Sequence, residues 1–301
     1  MVIDAFIDYS YFYANKAIIT RLRKYFRTKM MNPFKLAPIF VPKLIISPMK
    51  RLFYILYTWC IFVPIFLVLT LLTALTTIVG CLLGGERIFS YYPGMIWSRL
   101  TCYLALCPVK VRGREHIRRG QSYIFSANHQ GAFDIFLIYG FLGVPIKWVM
   151  KAGIGKIPFV GAACRAAGFI FVDHSTSKAA ARSLVDAEKA LRKGSSIAIF
   201  PEGSRTETGR MRRFKKGAFQ MAADQHLPIV PITLNGPFYV LPIGSLNLHR
   251  HAMEMVIHEP ISIEGMDTSH KGLQQIADQT QQIIAQDLWE EFNQNRSLDF
   301  G

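Results

Sequence analysis

Tyr123-Ile124-Phe125-Ser126-Ala127-Asn128-His129-Gln130-Gly131-Ala132-Phe133-Asp134 runs from an apolar segment into a short polar turn, and Ile135-Phe136-Leu137-Ile138-Tyr139 follows. The first apolar run has the length and composition of a buried strand, and the second reads as the opening of a buried helix. Polar residues on a strand-to-helix turn stand where an α/β fold usually places its chemistry. His129 and Asp134 meet if the helix begins near Gly131. A carboxylate then fixes the tautomer and orientation of the imidazole, which makes a general base. Taken alone, such a pair is more often a structural contact than a catalytic one, so its meaning depends on the rest of the chain.

Outward from this stretch the pattern repeats. Val109–Val111, Ile146–Met150, Phe169–Val172, Ile197–Phe200, Ile229–Leu234 and Met253–Ile257 read as further strands. Helices are expected over Ile135–Phe141, Pro158–Ala167, Lys178–Arg192, Gly217–Asp224 and about Ser269–Phe292. Strands alternating with helices predict an α/β fold with a mostly parallel or mixed central sheet and flanking helices. A helical hairpin and amphipathic helices associated with the membrane are expected to precede it.

The 301 residues carry a formal net charge of +15, and 51% of them are hydrophobic. Such a charge implies anionic partners. The apolar content favours an anionic membrane surface over nucleic acid, because the basic residues flank apolar segments instead of clustering with exposed aromatics. Cys60, Cys81, Cys102, Cys107 and Cys164 form no CxxC pair and no regular framework, which argues against both disulfides and a structural zinc site. No metal-ligand cluster is evident.

Asp4 and Asp8 interrupt the N-terminus, and no cleavable signal peptide is expected. Ile18, Ile19, Leu22, Tyr25 and Phe26 share one helical arc, opposite Arg21, Arg23, Lys24 and Arg27, as in a helix lying in a membrane interface. Four prolines between Pro33 and Pro48 mark a basic linker. Leu52 to Gly85 then contains 34 residues without a charge. A straight helix of that length measures about 50 Å, whereas the hydrocarbon core is about 30 Å thick. Basic residues on both flanks favour two ends on the cytoplasmic side. A monotopic hairpin turning near Thr70–Thr77 is therefore expected in preference to a single span. Pro93–Leu106 reads as one more amphipathic helix. The organisation expected is an N-terminal extension over 1–51, a membrane-inserted segment over 52–108 and a catalytic domain over 109–301.

Three further blocks stand at strand ends. Gly168-Phe169-Ile170-Phe171-Val172-Asp173-His174 closes one strand. Phe200-Pro201-Glu202-Gly203-Ser204-Arg205-Thr206 closes another, and its glycine, hydroxyls and guanidinium suit a phosphate. Ile229-Val230-Pro231-Ile232 is a buried strand. In this order and spacing, the blocks resemble the 1-acylglycerol-3-phosphate O-acyltransferase family over roughly Val109 to Ile261. That family shows NHxxxxD, a GxxFIxR-like block, FPEGTR or FPEGSR, and V-P-[IV].

The resemblance implies a lysophospholipid acceptor with a phosphate head and an acyl thioester donor, on CoA or acyl carrier protein, with no other cofactor. His129 and Asp134 are then the catalytic pair, with no acyl-enzyme and no nucleophile elbow. Asn128, Glu202, Gly203, Ser204, Arg205 and Thr206 fall in the substrate-binding set. The second block ends in Asp173-His174 where the family usually has Arg. The phosphate contact then falls to a protonated His174, or to Arg165 and Lys216. The same departure leaves open an acceptor that is another lysophospholipid or an aminolipid. A membrane-surface lipid-binding protein without activity is the non-enzymatic alternative, disfavoured by the intact first and third blocks.

Overall fold

The computed structural model describes residues 41–172 and 195–293. The expected amphipathic helix at Ile18–Phe26, the helix at Lys178–Arg192 and His174 lie outside them. The chain divides into two units after Tyr54, and of the first the structure describes only the helical stretch from Val41.

Helix α1 (Val41–Tyr57) passes through a π-helical turn, Thr58–Phe62, into α2 (Val63–Leu82). Pro64 lies in the first turn of α2, where the missing N–H removes a helical bond, and a widened turn is a common accommodation beside such a residue. The expected reversal at Thr70–Thr77 does not occur. The helix stays continuous there, and Thr70 and Thr76 satisfy their hydroxyls by donating back to the carbonyls of Phe66 and Leu72. The chain turns after Leu82, where Gly84 takes a positive φ of 83°.

After a short turn of helix, α3 (Glu86–Phe89), the returning arm is α4 (Tyr92–Leu104). It packs on α2, with Trp97 Nε1 donating to Thr70 Oγ1 at 3.0 Å. The uncharged run is therefore one continuous helix and not the expected hairpin, and the arm that returns along it comes from the segment read as a separate amphipathic helix. Among the described residues one helical segment, Met49–Leu82, is long and apolar enough to cross a membrane. Its outward face exposes Leu67, Val68, Leu72 and Leu82.

All seven expected strands form. They are β1 (Val109–Arg112), β2 (Ile124–Ala127), β3 (Ile146–Lys151), β4 (Ile170–Val172), β5 (Ser196–Ile199), β6 (Ile229–Asn235) and β7 (Met253–Ile257). The sheet runs in the order β1-β7-β6-β2-β5-β3-β4, parallel except for the β6–β7 pair. The central strands β2 and β6 are buried along their whole length. That burial on both faces explains their unbroken apolar composition.

One face is covered by α7 (Gly217–Asp224) and α9 (His270–Gln286), whose Phe219, Leu273, Ile276 and Ile284 pack with Ile124, Ile197 and Ile229. The last helix is shorter than its pattern predicts at both ends. Ser269 caps it by accepting from Gly272 N, and a separate 3-10 turn forms at Glu290–Phe292. Two further short helices complete the described fold, α6 (Val160–Ala166), which packs on α2, and α8 (Pro237–Val240).

The other side of the domain is built on α5 (Phe133–Phe141), an apolar helix enclosed by α4. Arg99 Nε of α4 donates to the Gly140 carbonyl at 2.6 Å, and Tyr139 Oη to that of Ser90 at 3.0 Å. An aromatic series runs from Phe66 through Trp97 to Phe136 and Phe133, at centroid spacings of 5.8, 4.9 and 5.1 Å.

Gly113 closes β1 with φ 81°, and a Cβ there would collide with the Ile257 carbonyl. Gly113→Ala combines an unfavourable backbone conformation with overpacking. It is expected to cost about 1–3 kcal/mol, read as a lowered unfolding midpoint of the detergent-solubilised protein.

Candidate active site

The first turn residues are fixed by the sheet. Asn128 is fully buried, and its side-chain amide donates to the Leu234 carbonyl at 2.9 Å and accepts from Leu234 N at 2.7 Å. Both ends of the amide therefore bind β6, and Asn128 acts as a rivet between β2 and β6. Gly131 lies so close to the chain after β6 that a Cβ would stand 2.6 Å from the Pro237 carbonyl oxygen. That approach explains the glycine within the block.

Helix α5 begins at Phe133 and places Asp134 in its first turn. His129 Nδ1 lies 2.7 Å from Asp134 Oδ2, and the Gly131 amide donates to the same oxygen at 2.8 Å. With Nδ1 donating to the carboxylate, Nε2 is left as the basic nitrogen. Asp134 is fully buried, whereas the His129 side chain keeps 15% of its exposure. Burial pushes the Asp134 carboxyl up, and the His129 bond pulls it back down. Its Oδ1 has no hydrogen-bond partner among the described residues, which is consistent with burial prevailing.

The imidazole rests on an aromatic shelf. The Phe200 ring stacks on it at a centroid distance of 3.9 Å and an interplanar angle of 7°. Trp148 stacks on Phe200 in turn at 5.5 Å. Sequence reasoning missed this, because Phe200 reads as the last apolar residue of a strand and not as a neighbour of His129.

Glu202 accepts from the backbone N–H of His129 through Oε1 at 2.7 Å and from that of Arg212 through Oε2 at 2.8 Å. It is 4% exposed. Burial raises its carboxyl to about 7 against the pull of the two amides. Thr206 N donates to the His129 carbonyl at 3.0 Å, so the third block is stitched to the first on both sides of the histidine. Thr206 itself is buried, with its hydroxyl accepting from Thr208 N. Ser204 and Arg205 remain partly open. Ser204 Oγ accepts from Arg212 Nη1 at 2.9 Å.

The alternative phosphate cations point elsewhere. Arg165 Nη1 donates to the Gly155 carbonyl at 2.8 Å, and Lys216 Nζ to that of His270 at 2.9 Å. Among the described residues no group of three or more His, Cys, Asp or Glu is placed to hold a metal.

Fold and site together define an α/β protein with a carboxylate-supported histidine at the carboxyl end of a central strand. Residues 108–235 match the family model described as Acyltransferase. The chain is 32% identical over 178 residues to the chloroplast 1-acyl-sn-glycerol-3-phosphate acyltransferase of Arabidopsis thaliana, covering 58% of this chain and 49% of that one. It is 37% identical over 137 residues to the 1-acyl-sn-glycerol-3-phosphate acyltransferase of Borreliella burgdorferi, covering 45% and 54%. The chain thus spans about half the length of these relatives. The fold is similar to the crystal structure of the 1-acyl-sn-glycerophosphate acyltransferase PlsC from Thermotoga maritima. That likeness has a TM-score of 0.67 at 24% identity and covers 79% of this chain and 96% of that one.

Proposed function

We propose that this protein transfers a fatty acyl group from an acyl thioester, on CoA or acyl carrier protein, to the free sn-2 hydroxyl of 1-acyl-glycerol-3-phosphate. The product is phosphatidate. The observation that carries this reading is the 2.7 Å His129–Asp134 contact, with the base held at the rim of the phosphate-competent turn. Relatives bearing the corresponding name supply the acceptor class.

His129 Nε2 takes the proton of the acceptor hydroxyl as its oxygen attacks the thioester carbonyl. Asp134 keeps the imidazole oriented and offsets the charge of the imidazolium. Collapse of the tetrahedral adduct breaks the carbon–sulfur bond, and the imidazolium returns its proton to the leaving thiolate. The phenyl face of Phe200 favours the imidazolium by a cation–π contact. The transfer requires no metal and no cofactor beyond the donor. The apolar face of α2 and α4 seats the protein on an anionic bilayer as a monotopic hairpin, with the catalytic domain on the cytoplasmic side.

The test is an acceptor panel at fixed acyl-CoA, read as labelled product. Phosphatidate from lysophosphatidate is expected to dominate over the products of lysophosphatidylcholine and lysophosphatidylethanolamine. Equal or better turnover of the latter two would move the acceptor to another lysophospholipid. No transfer to any acceptor would favour a lipid-binding role.

A further inference from the structure

We propose that Arg212 and Lys215, two cations outside the four sequence blocks, complete a phosphate-binding site on the turn Gly203-Ser204-Arg205. The inference rests on the acceptor reading above and names the groups that hold its phosphate. A phosphomonoester dianion calls for more positive charge than Arg205 alone provides, and the second block does not offer its usual arginine. Of the three substitutes suggested by sequence, His174 lies outside the described residues, and Arg165 and Lys216 bind backbone carbonyls of other segments.

Arg212 and Lys215 fold back onto the turn itself. The guanidinium of Arg212 donates to Ser204 Oγ at 2.9 Å. The Lys215 ammonium stands over Gly203, 2.8 Å from where a Cβ would be. Gly203 has φ 78°, so the turn needs glycine for its backbone, and the missing side chain is also what makes room for the ammonium. The backbones carrying both cations are anchored to the same block, by Arg212 N to Glu202 Oε2 at 2.8 Å and Lys215 N to the Pro201 carbonyl at 3.0 Å.

Charge points the same way. Residues 205–216 contain six cations and a single acid, Glu207. That acid reaches Arg212 only at 3.9 Å and is 73% exposed, so an incoming dianion displaces little. An arginine fork with a lysine point charge is a chemically sound pair for a terminal phosphate. The Ser204 hydroxyl, accepting from Arg212, is left to donate its proton to the ligand.

The experiment measures two quantities on wild type, Arg212→Ala, Lys215→Met and the double variant. The first is equilibrium binding of lysophosphatidate in detergent micelles, against phosphate-free 1-acylglycerol and without donor. Each single variant is expected to weaken lysophosphatidate binding about tenfold and the double variant more, with 1-acylglycerol binding unchanged. The second is steady-state transfer, where the acceptor KM is expected to rise with kcat and donor KM nearly constant. Arg212→Lys recovers part of the loss. Wild-type affinity in the double variant, or a rise confined to the donor KM, overturns the proposal. Phosphate-dependent binding by wild type without acyl transfer would leave the phosphate site standing and remove the assigned reaction.

Discussion

His129→Ala is expected to lower kcat for acyl transfer to lysophosphatidate by about 10²–10⁴, the range typical of a positioned general base. The acceptor KM should change little, because the imidazole sits beside the phosphate turn and is not one of its cations. The structure gives the expectation its force. One imidazole nitrogen faces a fully buried carboxylate at 2.7 Å, and the ring keeps enough exposure to reach a ligand. Asp134→Asn should fall in the same direction, since an amide favours the wrong tautomer and leaves the imidazolium without a counter-charge. The measurement is initial-rate kinetics on membranes containing each variant at matched expression. Near-normal turnover of His129→Ala would remove the catalytic assignment altogether.

Glu202→Gln carries the second large effect. The carboxylate accepts from two backbone amides on two loops, and a glutamine side chain has only one acceptor oxygen. Either the His129 or the Arg212 N–H must then face an NH₂ group. An unpaired buried donor costs about 1–3 kcal/mol, and a small displacement of a catalytic group costs about 10² in rate. A fall in kcat of that size is expected without direct contact between Glu202 and substrate.

The variant also has a pH signature. Glu202 is raised from 4.5 to about 7 in the folded protein. Between those values the folded state holds the extra proton, so its contribution to stability falls as pH rises from about 4.5 to about 7 and is flat above. Glu202→Gln removes that slope. Unfolding midpoints measured across the interval, for wild type and variant, give the comparison. Parallel curves would show that Glu202 titrates elsewhere.

The middle of the sheet was legible because β2 and β6 are buried on both faces and therefore read as short apolar runs, whereas the edge strand β1 showed itself by the alternation of Val109 and Val111 with Lys110 and Arg112. The pairing of His129 with Asp134 was legible for a similar local reason, since both belong to one strand-turn-helix unit. The hairpin turn was misplaced because an uncharged run with basic residues at both flanks does not show where the chain reverses, and the reversal comes at Gly84, beyond the continuous helix that holds Thr70 and Thr76. The double role of Glu202, the seat of Asn128 on β6 and the return of Arg212 onto Ser204 depend on contacts between segments distant in sequence. No local pattern announces them. Asn128 and Glu202 read as ligand-binding polar residues because they belong to the first and third blocks, and the structure shows them hydrogen-bonded to backbone groups.

The packing of α4 on α5 bears on how the protein can be dissected. A tether that merely holds an enzyme to a bilayer can be exchanged for any other anchor. Here Arg99 of α4 bonds to Gly140 of α5, Tyr139 of α5 bonds to Ser90 just before α4, and the ring series from Phe66 ends at Phe133, next in sequence to Asp134. Through Phe66 and Trp97, α2 and α4 support the helix that carries Asp134. A fragment begun at β1 would expose the apolar face of α5 that α4 covers, and a water-soluble version of this protein has to be sought by repainting the outer surface of α2 and α4, not by cutting them away.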